Sequence, residues 1–323
     1  MKVTVKANTN IALVKYWGKK DENLKIPLNN SISMTLDKLY TITTSDIFDN
    51  DHDQVIFNNK DASEISKNKI IKFVDLFRNE YKRKEKLIIK TENNFPTASG
   101  LASSASGFAA LAKSINEVFE LNLSDIELSK YARIGSGSAC RSIYGGFVEW
   151  QKGNRDNGED SYAIQLVKEN YWDIRMMVVI IDDKQKDKSS TDGMKETVET
   201  SPFYPAWLDT IENDLNNVRQ GILDKDLEKV GITMEHNCLK MHSTMFTTRP
   251  AIIYWKPATL AVINKVYELR KLGVECYFTI DAGPNVKILY DQNNSEKIKK
   301  EIMSVSDITN LIECKVGSSA LII

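Results

Sequence analysis

Residues 93–107 read NNFPTASGLASSASG, and this stretch carries the strongest chemical signal in the chain. The motif NNFP ends a predicted strand, and the small residues after it open a helix that we predict to continue to about Glu120. Glycine and alanine let the backbone approach an anion closely, and the first turn of a helix presents unpaired N–H groups. The stretch therefore predicts a phosphate site, where the hydroxyls of Ser103 and Ser104 bind phosphate or magnesium.

This segment is not a Walker P-loop, because no GK[ST] follows and the lysine is missing. The structural alternative is a helix of small residues packed tightly against a sheet. The segment alone leaves both interpretations open.

Strand and helix signals follow each other irregularly on both sides of this segment. The alternation of Val3, Val5 and Ala7 with polar residues predicts a first strand. Further strands are predicted at 32–36, 87–89, 176–181, 276–280, 286–290 and 316–323, and helices at 65–77, from 124, from 205 and at 257–273, with 135–146 as a Gly/Ser-rich connection. Because no regular βαβ rhythm is present, we predict an α+β fold.

The length of 323 residues exceeds that of a usual single domain and predicts two lobes that share a cleft. The apolar strand at 176–181 gives way to the charged run Lys184–Lys188, which is typical of a solvated loop. We therefore expect an N-terminal domain at 1–182 and a C-terminal domain at 183–323.

Composition narrows the class of protein. With 43 basic and 44 acidic residues the formal charge is −1, which favours neither a nucleic-acid nor a membrane partner. The cysteines are far apart, form no CxxC pair and are typical of reduced thiols: Cys140, Cys238, Cys276 and Cys314. The N-terminus lacks the apolar core of a signal peptide, so we expect a cytoplasmic enzyme or binding protein.

Residues 10–19 read NIALVKYWGK and place polar groups in an otherwise apolar strand-to-loop passage. Asn10, Lys15, Tyr16 and Lys19 would suit a carboxylate or a diphosphate, and Gly18 would make the bend. The alternative is an amphipathic edge strand with lysines that extend to solvent.

Two further segments carry charged groups at glycine-rich positions. Residues 136–146 read SGSACRSIYGG, where Arg141 can bind a carboxylate or phosphate in a bidentate manner and Ser136 and Ser138 can donate beside it. Residues 279–286 read TIDAGPNV, where Asp281 leaves an apolar strand at a Gly-Pro corner. A flexible loop with an exposed arginine and an Asx-type turn are the alternatives.

Taken in the order in which they occur along the chain, these four strings resemble the motifs of the diphosphomevalonate decarboxylases, a family within the superfamily of GHMP small-molecule kinases. PTASGLASSASG resembles their PxxxGLxSSA loop, and the other three strings are similar to NIAxxKYWGK, SGSACRS…GG and [TS]xDAGPNV. The resemblance covers nearly the whole chain. It implies a two-lobed GHMP kinase fold with the active site in the cleft, an N-terminal lobe like ribosomal protein domain 2 and a ferredoxin-like C-terminal lobe.

The resemblance also implies roles for individual residues. Those implied to be catalytic are Asp281, Lys15, Arg141 and Asn10. The implied substrate site comprises Tyr16, Trp17, Gly18, Lys19, Ser136, Gly137, Ser138, Ala139, Cys140, Arg141, Ser190 and Thr191, of which Cys140 is a small neighbour and Thr191 replaces an arginine of some relatives. ATP is implied to contact Lys67, Asn93, Ser99, Gly100, Leu101, Ala102, Ser103, Ser104, Ala105 and Ser106, with magnesium at Ser103. Lys67 has a solvated position as its alternative.

The implied reaction is ATP-dependent decarboxylation of (R)-5-diphosphomevalonate to isopentenyl diphosphate by a homodimer, a step of isoprenoid biosynthesis. Two related activities are the nearest alternatives, namely decarboxylation of 5-phosphomevalonate and phosphorylation of the 3-hydroxyl alone. A metabolite sensor without catalysis is a further alternative, disfavoured by the presence of both Asp281 and Arg141. For His236 and His242 we expect structural roles, because their spacing does not suit a metal.

Overall fold

The structure is a computed structural model that describes residues 1–95, 103–182, 184 and 188–323. In these ranges the strands are β1 (Val3–Val14), β2 (Lys19–Asp21), β3 (Ile26–Pro27), β4 (Ser31–Phe48), β5 (Gln54–Phe57), β6 (Lys60–Asp61), β7 (Lys86–Asn93), β8 (Phe147–Trp150), β9 (Ala163–Val167), β10 (Ile174–Ile180), β11 (Cys276–Ile280), β12 (Val286–Asp291), β13 (Asn310–Lys315) and β14 (Leu321–Ile322). The helices are α1 (Glu64–Tyr81), α2 (Ser103–Val118), α3 (Asp125–Gly135), α4 (Ser190–Thr200), α5 (Tyr204–Asp224), α6 (Leu227–Phe246), α7 (Pro257–Lys271) and α8 (Ser295–Met303), with 3-10 turns at Gly137–Ile143 and Gln292–Asn294.

The long strand β4 organises the first sheet, whose order is β14-β1-β4-β7-β5-β6, with β8 on β4 and β9 on β8. Val3, Val5 and Ala7 of β1 are buried as the alternation predicts, and from Asn8 onward every residue of the strand is buried. Helix α2 packs across this sheet through buried alanines such as Ala105, Ala109 and Ala112. Their small side chains let the helix lie close to β1 and β4.

The second sheet is antiparallel, in the order β11-β12-β10-β13. Alternate residues of β10 enter different cores, because successive side chains of a strand point to opposite faces. Met177 and Val179 pack against α7 and α8, whereas Met176 and Val178 pack toward α5, α6 and the first sheet. A continuous apolar cluster therefore joins the two sheets, and the mixture of elements confirms the α+β prediction.

The strand Ile174–Ile180 belongs to the second sheet by its hydrogen bonds with β12 and β13. A division at residue 182 stays a prediction, and this pairing favours a boundary ahead of Ile174. We propose that the boundary between the N-terminal and C-terminal domains lies between β9 and β10.

Two predicted elements differ from the structure. The connection 135–146 contains the 3-10 turn Gly137–Ile143. Of the final strand predicted at 316–323, only the two residues of β14 form a strand, and β13 ends before the predicted start. The chain is irregular between them because Gly317 packs directly on the backbone of Leu36 and its N–H donates to Thr35 O at 2.8 Å. Among the described helices, none has both the length and the apolar character that a membrane crossing requires.

Candidate active site

A cavity of about 610 Å³ lies where the two lobes meet. Its walls come from the ends of β1 and β11, the 3-10 turn at 137–143, and the first turns of α2 and α4. Four of the sequence segments singled out above thus reach one space, although they are far apart in the chain.

An ion pair joins the two sheets at this cavity. Lys15 follows the last residue of β1 and Asp281 follows the last residue of β11, and Lys15 Nζ lies 2.7 Å from Asp281 Oδ1. Lys287 Nζ, from β12, lies 3.2 Å from Asp281 Oδ2. Both lysines are buried, whereas the Asp281 side chain keeps 27% of its surface exposed toward the cavity. A carboxylate is therefore fixed from behind by two ammonium groups and presents its open side to a ligand.

Charge decides the protonation state of this carboxylate. Burial by itself would raise the pKa of Asp281, but the adjacent Lys15 and Lys287 outweigh it and hold that pKa well below its ordinary value. Asp281 is consequently ionised throughout the physiological pH range. It is a strong electrostatic partner for a positive charge and a weak acceptor of a whole proton.

Arg141 also lines the cavity and is buried. Its Nε donates to Asn10 Oδ1 at 3.1 Å and its Nη1 to Ser31 Oγ at 2.5 Å. Asn10 is fixed in turn, since its Nδ2 donates to Ser138 O at 3.0 Å and to Ser142 Oγ at 2.8 Å. Within the described residues these partners of Arg141 are neutral oxygens. The guanidinium therefore lines the cavity with its charge available to an anion.

Tyr16 and Trp17 line the cavity next to this network. The Tyr16 hydroxyl and the Trp17 indole N–H are buried without a hydrogen-bond partner in the part of the chain that the structure describes. Burial raises the pKa of Tyr16 far above its ordinary value, so the hydroxyl stays protonated and can donate. Two unused buried donors beside a cation indicate a site for oxygen-rich ligands.

Three more lysines extend the positive wall. Lys19 Nζ is 2.6 Å from Glu22 Oε2, and Lys25 Nζ donates to Ile134 O at 2.5 Å and to Gly135 O at 3.1 Å. Burial and the neighbouring cations Lys69 and Lys19 lower the pKa of Lys25 to about 8. Burial contributes most to this lowering and the two neighbouring cations add to it, and an anionic ligand would relieve the repulsion among the three ammonium groups.

The start of α2 lies between this cavity and a second, mostly apolar cavity of about 180 Å³, and it lines both. Ser103, Ser104 and Lys69 line both cavities, and the hydroxyls of Ser104 and Ser136 are 3.0 Å apart. The remaining wall of the second cavity is formed by Thr43, Phe57, Ser66, Ile70, Ile89, Thr91, Asn93, Gly107, Phe108 and Leu111. An apolar slot that opens onto hydroxyls and cations suits a flat ring that carries phosphates.

Most of the predicted site residues line the larger cavity: Asn10, Lys15, Tyr16, Trp17, Lys19, Ser103, Ser104, Ser136, Gly137, Ser138, Arg141, Ser190, Thr191 and Asp281. Gly18 instead makes the bend, with φ at +107°, and a Cβ there would lie 2.0 Å from the Tyr204 hydroxyl. Ser99, Gly100, Leu101 and Ala102 lie outside the described residues.

Other predicted residues face away from both cavities. Ala105 and Ser106 are buried against the sheet, where the Ser106 and Thr41 hydroxyls are 2.7 Å apart, so contact with a nucleotide does not fit their position. Ala139 and Cys140 are buried residues of the 3-10 turn itself and line neither cavity. Lys67 lines neither cavity, whereas Lys69 lines both, because positions two apart on a helix point to nearly opposite sides.

Sequence reasoning missed three cations of the site, namely Lys25, Lys69 and Lys287. A signal existed for Lys287, since a single lysine in the apolar strand VKILY is unusual and implies a buried partner. Lys25 and Lys69 gave no such signal, because each lies in a polar stretch where a solvated lysine is ordinary.

A dedicated metal cage is absent from the described residues, which contain no cluster of three or more histidine, cysteine or acidic side chains. His236 is exposed and His242 is buried on α6, and the structural roles expected for them stay a prediction. Magnesium that arrives with nucleotide phosphates needs few protein ligands, and the Ser103 hydroxyl suits that chemistry.

Comparison with known proteins identifies the family. The model of the diphosphomevalonate decarboxylase-like N-terminal domain matches residues 7–163, and that of the mevalonate 5-diphosphate decarboxylase C-terminal domain matches residues 176–320. The diphosphomevalonate decarboxylase of Candida albicans is 37% identical over 310 residues, which are 91% of this chain and 86% of that protein.

Solved structures share the whole fold. The crystal structure of mevalonate diphosphate decarboxylase from Staphylococcus aureus is 44% identical, with a TM-score of 0.95 over 100% of this chain and 98% of that one. Another, a complex with MVAPP, AMPPCP and magnesium, is 42% identical, with a TM-score of 0.91 over 100% of this chain and 99% of that one. Likeness of this extent confirms the predicted fold.

Proposed function

Because the chain belongs to the diphosphomevalonate decarboxylase family, we propose that it converts (R)-5-diphosphomevalonate and ATP to isopentenyl diphosphate, ADP, phosphate and CO2. One observation carries this proposal beyond family membership. The Asp281 carboxylate, fixed by Lys15 and Lys287, faces the same cavity as the Arg141 guanidinium and the Ser103 and Ser104 hydroxyls.

The first step is transfer of the γ-phosphoryl group of ATP to the 3-hydroxyl of the substrate. The hydroxyl oxygen forms a bond to the γ-phosphorus as the bond from that phosphorus to the β,γ-bridging oxygen breaks and ADP leaves. The hydroxyl proton passes to an oxygen of the transferred phosphoryl group. Phosphoryl transfer depends mainly on alignment and on neutralisation of charge. Asp281 accepts a hydrogen bond from the 3-hydroxyl and orients its oxygen toward the γ-phosphorus. The lysines behind Asp281 make it a weak base, so orientation is its main contribution in this step.

The second step breaks two bonds. The 3-phosphate leaves the tertiary carbon with the electron pair of the C–O bond, and the electrons of the bond between C2 and the carboxylate form the new double bond as CO2 departs. The ionised Asp281 stabilises positive charge that develops at C3. Arg141 holds the carboxylate in place, oriented by Asn10. Tyr16, Lys19, Ser138 and Ser190 bind the diphosphate.

ATP fits the two adjoining cavities. The apolar cavity of about 180 Å³ would receive the adenine ring, and Ser103, Ser104 and Lys69 at its junction with the larger cavity would bind the phosphates. AMPPCP, which a relative binds together with magnesium, is an ATP analogue and supports this assignment. Magnesium would be held by the nucleotide phosphates and the Ser103 hydroxyl, and would neutralise phosphate charge.

The same proposal includes a homodimer in the cytoplasm. The homodimer follows from the family resemblance, and sedimentation analysis at several concentrations tests it. A reducing compartment is supported by the four cysteines, which are all buried and free of disulfides.

A direct assay separates the proposed reaction from its alternatives. The purified protein is incubated with ATP and either 5-diphosphomevalonate or 5-phosphomevalonate, and both ADP and CO2 are measured. We expect equal amounts of ADP and CO2 from the diphosphate. CO2 from the monophosphate alone would identify a phosphomevalonate decarboxylase, and ADP without CO2 would identify a 3-kinase.

A further inference from the structure

Helix α6 covers the open edge of the second sheet. Among the described strands, β11 is at the edge of that sheet, so none of them pairs with its outer N–H and C=O groups. The Phe278 N–H donates instead to Glu235 Oε1 at 2.9 Å, and Glu235 is fixed through its other oxygen by Arg270 at 2.8 Å. Side chains of a helix thus take the place of a missing strand.

The same replacement continues at Ile280, the last residue before Asp281. The Ile280 N–H donates to Cys238 Sγ at 3.1 Å, and the Ile280 carbonyl accepts from Cys238 Sγ at 3.4 Å. His242 Nε2 lies 3.2 Å from that carbonyl oxygen. We assign the ring proton to Nε2, because a carbonyl oxygen only accepts. This assignment excludes a hydrogen bond to Nε2 from the Trp255 Nε1–H, which lies 3.4 Å from the same nitrogen.

The spacing on both partners explains why this arrangement fits. Glu235, Cys238 and His242 are three and four residues apart, so they share one face of α6. Phe278 and Ile280 are two apart, so their free backbone groups point to the same side of β11. We call Glu235, Cys238 and His242 the α6 ladder.

A neighbouring residue of the same helix reaches the other half of the ion pair. Asn237 Oδ1 accepts from the Lys15 backbone N–H at 2.8 Å, and Asn237 Nδ2 donates to Asp214 Oδ2 at 2.6 Å. Lys240 Nζ holds that carboxylate at 2.6 Å. Asn237 is fully buried, so these bonds are shielded from water. One helix therefore fixes the backbone at Lys15 and the backbone directly before Asp281.

We propose that α6 sets the geometry of the Lys15–Asp281 pair, with Cys238, His242 and Asn237 as positioning residues for the decarboxylation. Neither Lys15 nor Asp281 has a regular strand partner to fix it, since each lies just beyond the end of its strand. Burial lowers the pKa of His242 to about 3, so the ring is neutral and its Nε2–H remains a donor across the working pH range. This inference rests on the proposed function.

The test compares three variants on the same helix. His242→Phe keeps an aromatic ring but loses the donor to Ile280, and His242→Gln restores an N–H near the position of Nε2. His236→Phe is the matched control, because His236 is an exposed residue of α6 outside the ladder. We expect His242→Phe to lower kcat about 10- to 100-fold, because displacement of a reacting group by up to about 1 Å has an effect of this size. The KM values for ATP and for the diphosphate should stay nearly unchanged. His242→Gln should recover most of kcat, and His236→Phe should match the wild type.

A crystal structure of His242→Phe gives a reading that does not depend on turnover. We expect Asp281 Oδ1 to move away from Lys15 Nζ, beyond the 2.7 Å of the native pair. An unchanged pair, or kcat equal to that of the wild type, would overturn the inference. If His242→Phe does not fold, Cys238→Ala with Cys238→Ser as its rescue replaces it under the same criteria. Absence of CO2 release by the wild type refutes the proposed function instead, and the crystal structure then decides the positioning role alone.

Discussion

Replacement of Asp281 by asparagine isolates the charge of the carboxylate from its shape. In the native protein this charge is shared between Lys15 Nζ at 2.7 Å and Lys287 Nζ at 3.2 Å. Asparagine keeps the size and one oxygen but removes the negative charge. The two ammonium groups retain backbone acceptors, Ala12 O at 2.9 Å and Asn285 O at 3.2 Å.

The expected loss follows from the charge that develops at C3. A carboxylate about 4 Å from a full positive charge contributes about 4 kcal/mol at an effective dielectric constant of about 20. Since each 1.4 kcal/mol is about tenfold in rate, Asp281→Asn should lower kcat by about 10³-fold. The KM for ATP should change little, because the proposed phosphate site consists of other groups, namely Ser103, Ser104 and Lys69.

The assay measures ADP and CO2 separately. Since removing one partner of a buried ion pair costs about 3–5 kcal/mol of stability, circular dichroism and nucleotide binding must first establish that the variant is folded. Asp156→Asn is the matched control, because Asp156 is an exposed carboxylate paired with Lys20 at 2.5 Å outside the cavity. A folded Asp281→Asn protein that releases CO2 at nearly the wild-type rate would refute the reasoning.

Three further predictions concern the cations of the cavity. Arg141→Ala should cost about 2–5 kcal/mol of transition-state stabilisation, because it removes a buried, hydrogen-bonded charge. A variant that binds ATP less well but releases as much CO2 per bound ATP as the wild type would contradict this prediction. Lys25, with a pKa of about 8, carries its proton below that pH and loses it above. The KM for the diphosphate should therefore rise above pH 8 in the wild type, and Lys25→Met should abolish that rise; identical pH profiles would speak against a role in binding. Lys69→Ala should raise the KM for ATP about tenfold, because one charged hydrogen bond is lost. Lys67→Ala, on another side of α1, should leave this KM unchanged. A larger rise of the KM in Lys67→Ala than in Lys69→Ala would support the role predicted for Lys67.

Local patterns in the sequence predicted many of the elements around the cavity. The alternation in β1, the helix predicted from residue 124 and the helix predicted at 257–273 depend on neighbouring residues only, and the structure has each of them. Helix α3 begins with a capping box of Ser124 and Glu127, and Gly273, with a positive φ, follows α7. The motif strings also identified Asn10, Arg141 and Asp281, which line the cavity. Such strings do not show which side chains of a segment face the cavity. Lys67 and Lys69, or Ser104 and Ser106, differ only in the side of a helix that they occupy.

The sequence by itself determined the class of fold, the family and the segments that carry the chemistry, because these depend on residue types and spacings along the chain. The tertiary structure alone decided how the charges combine. Asp281 lies between Lys15 and Lys287 because β1, β11 and β12 end or begin at one place, and the resulting low pKa makes it an electrostatic group rather than a strong base. Coulomb interactions depend on distance in space, and Lys15 and Asp281 are 266 positions apart in the chain.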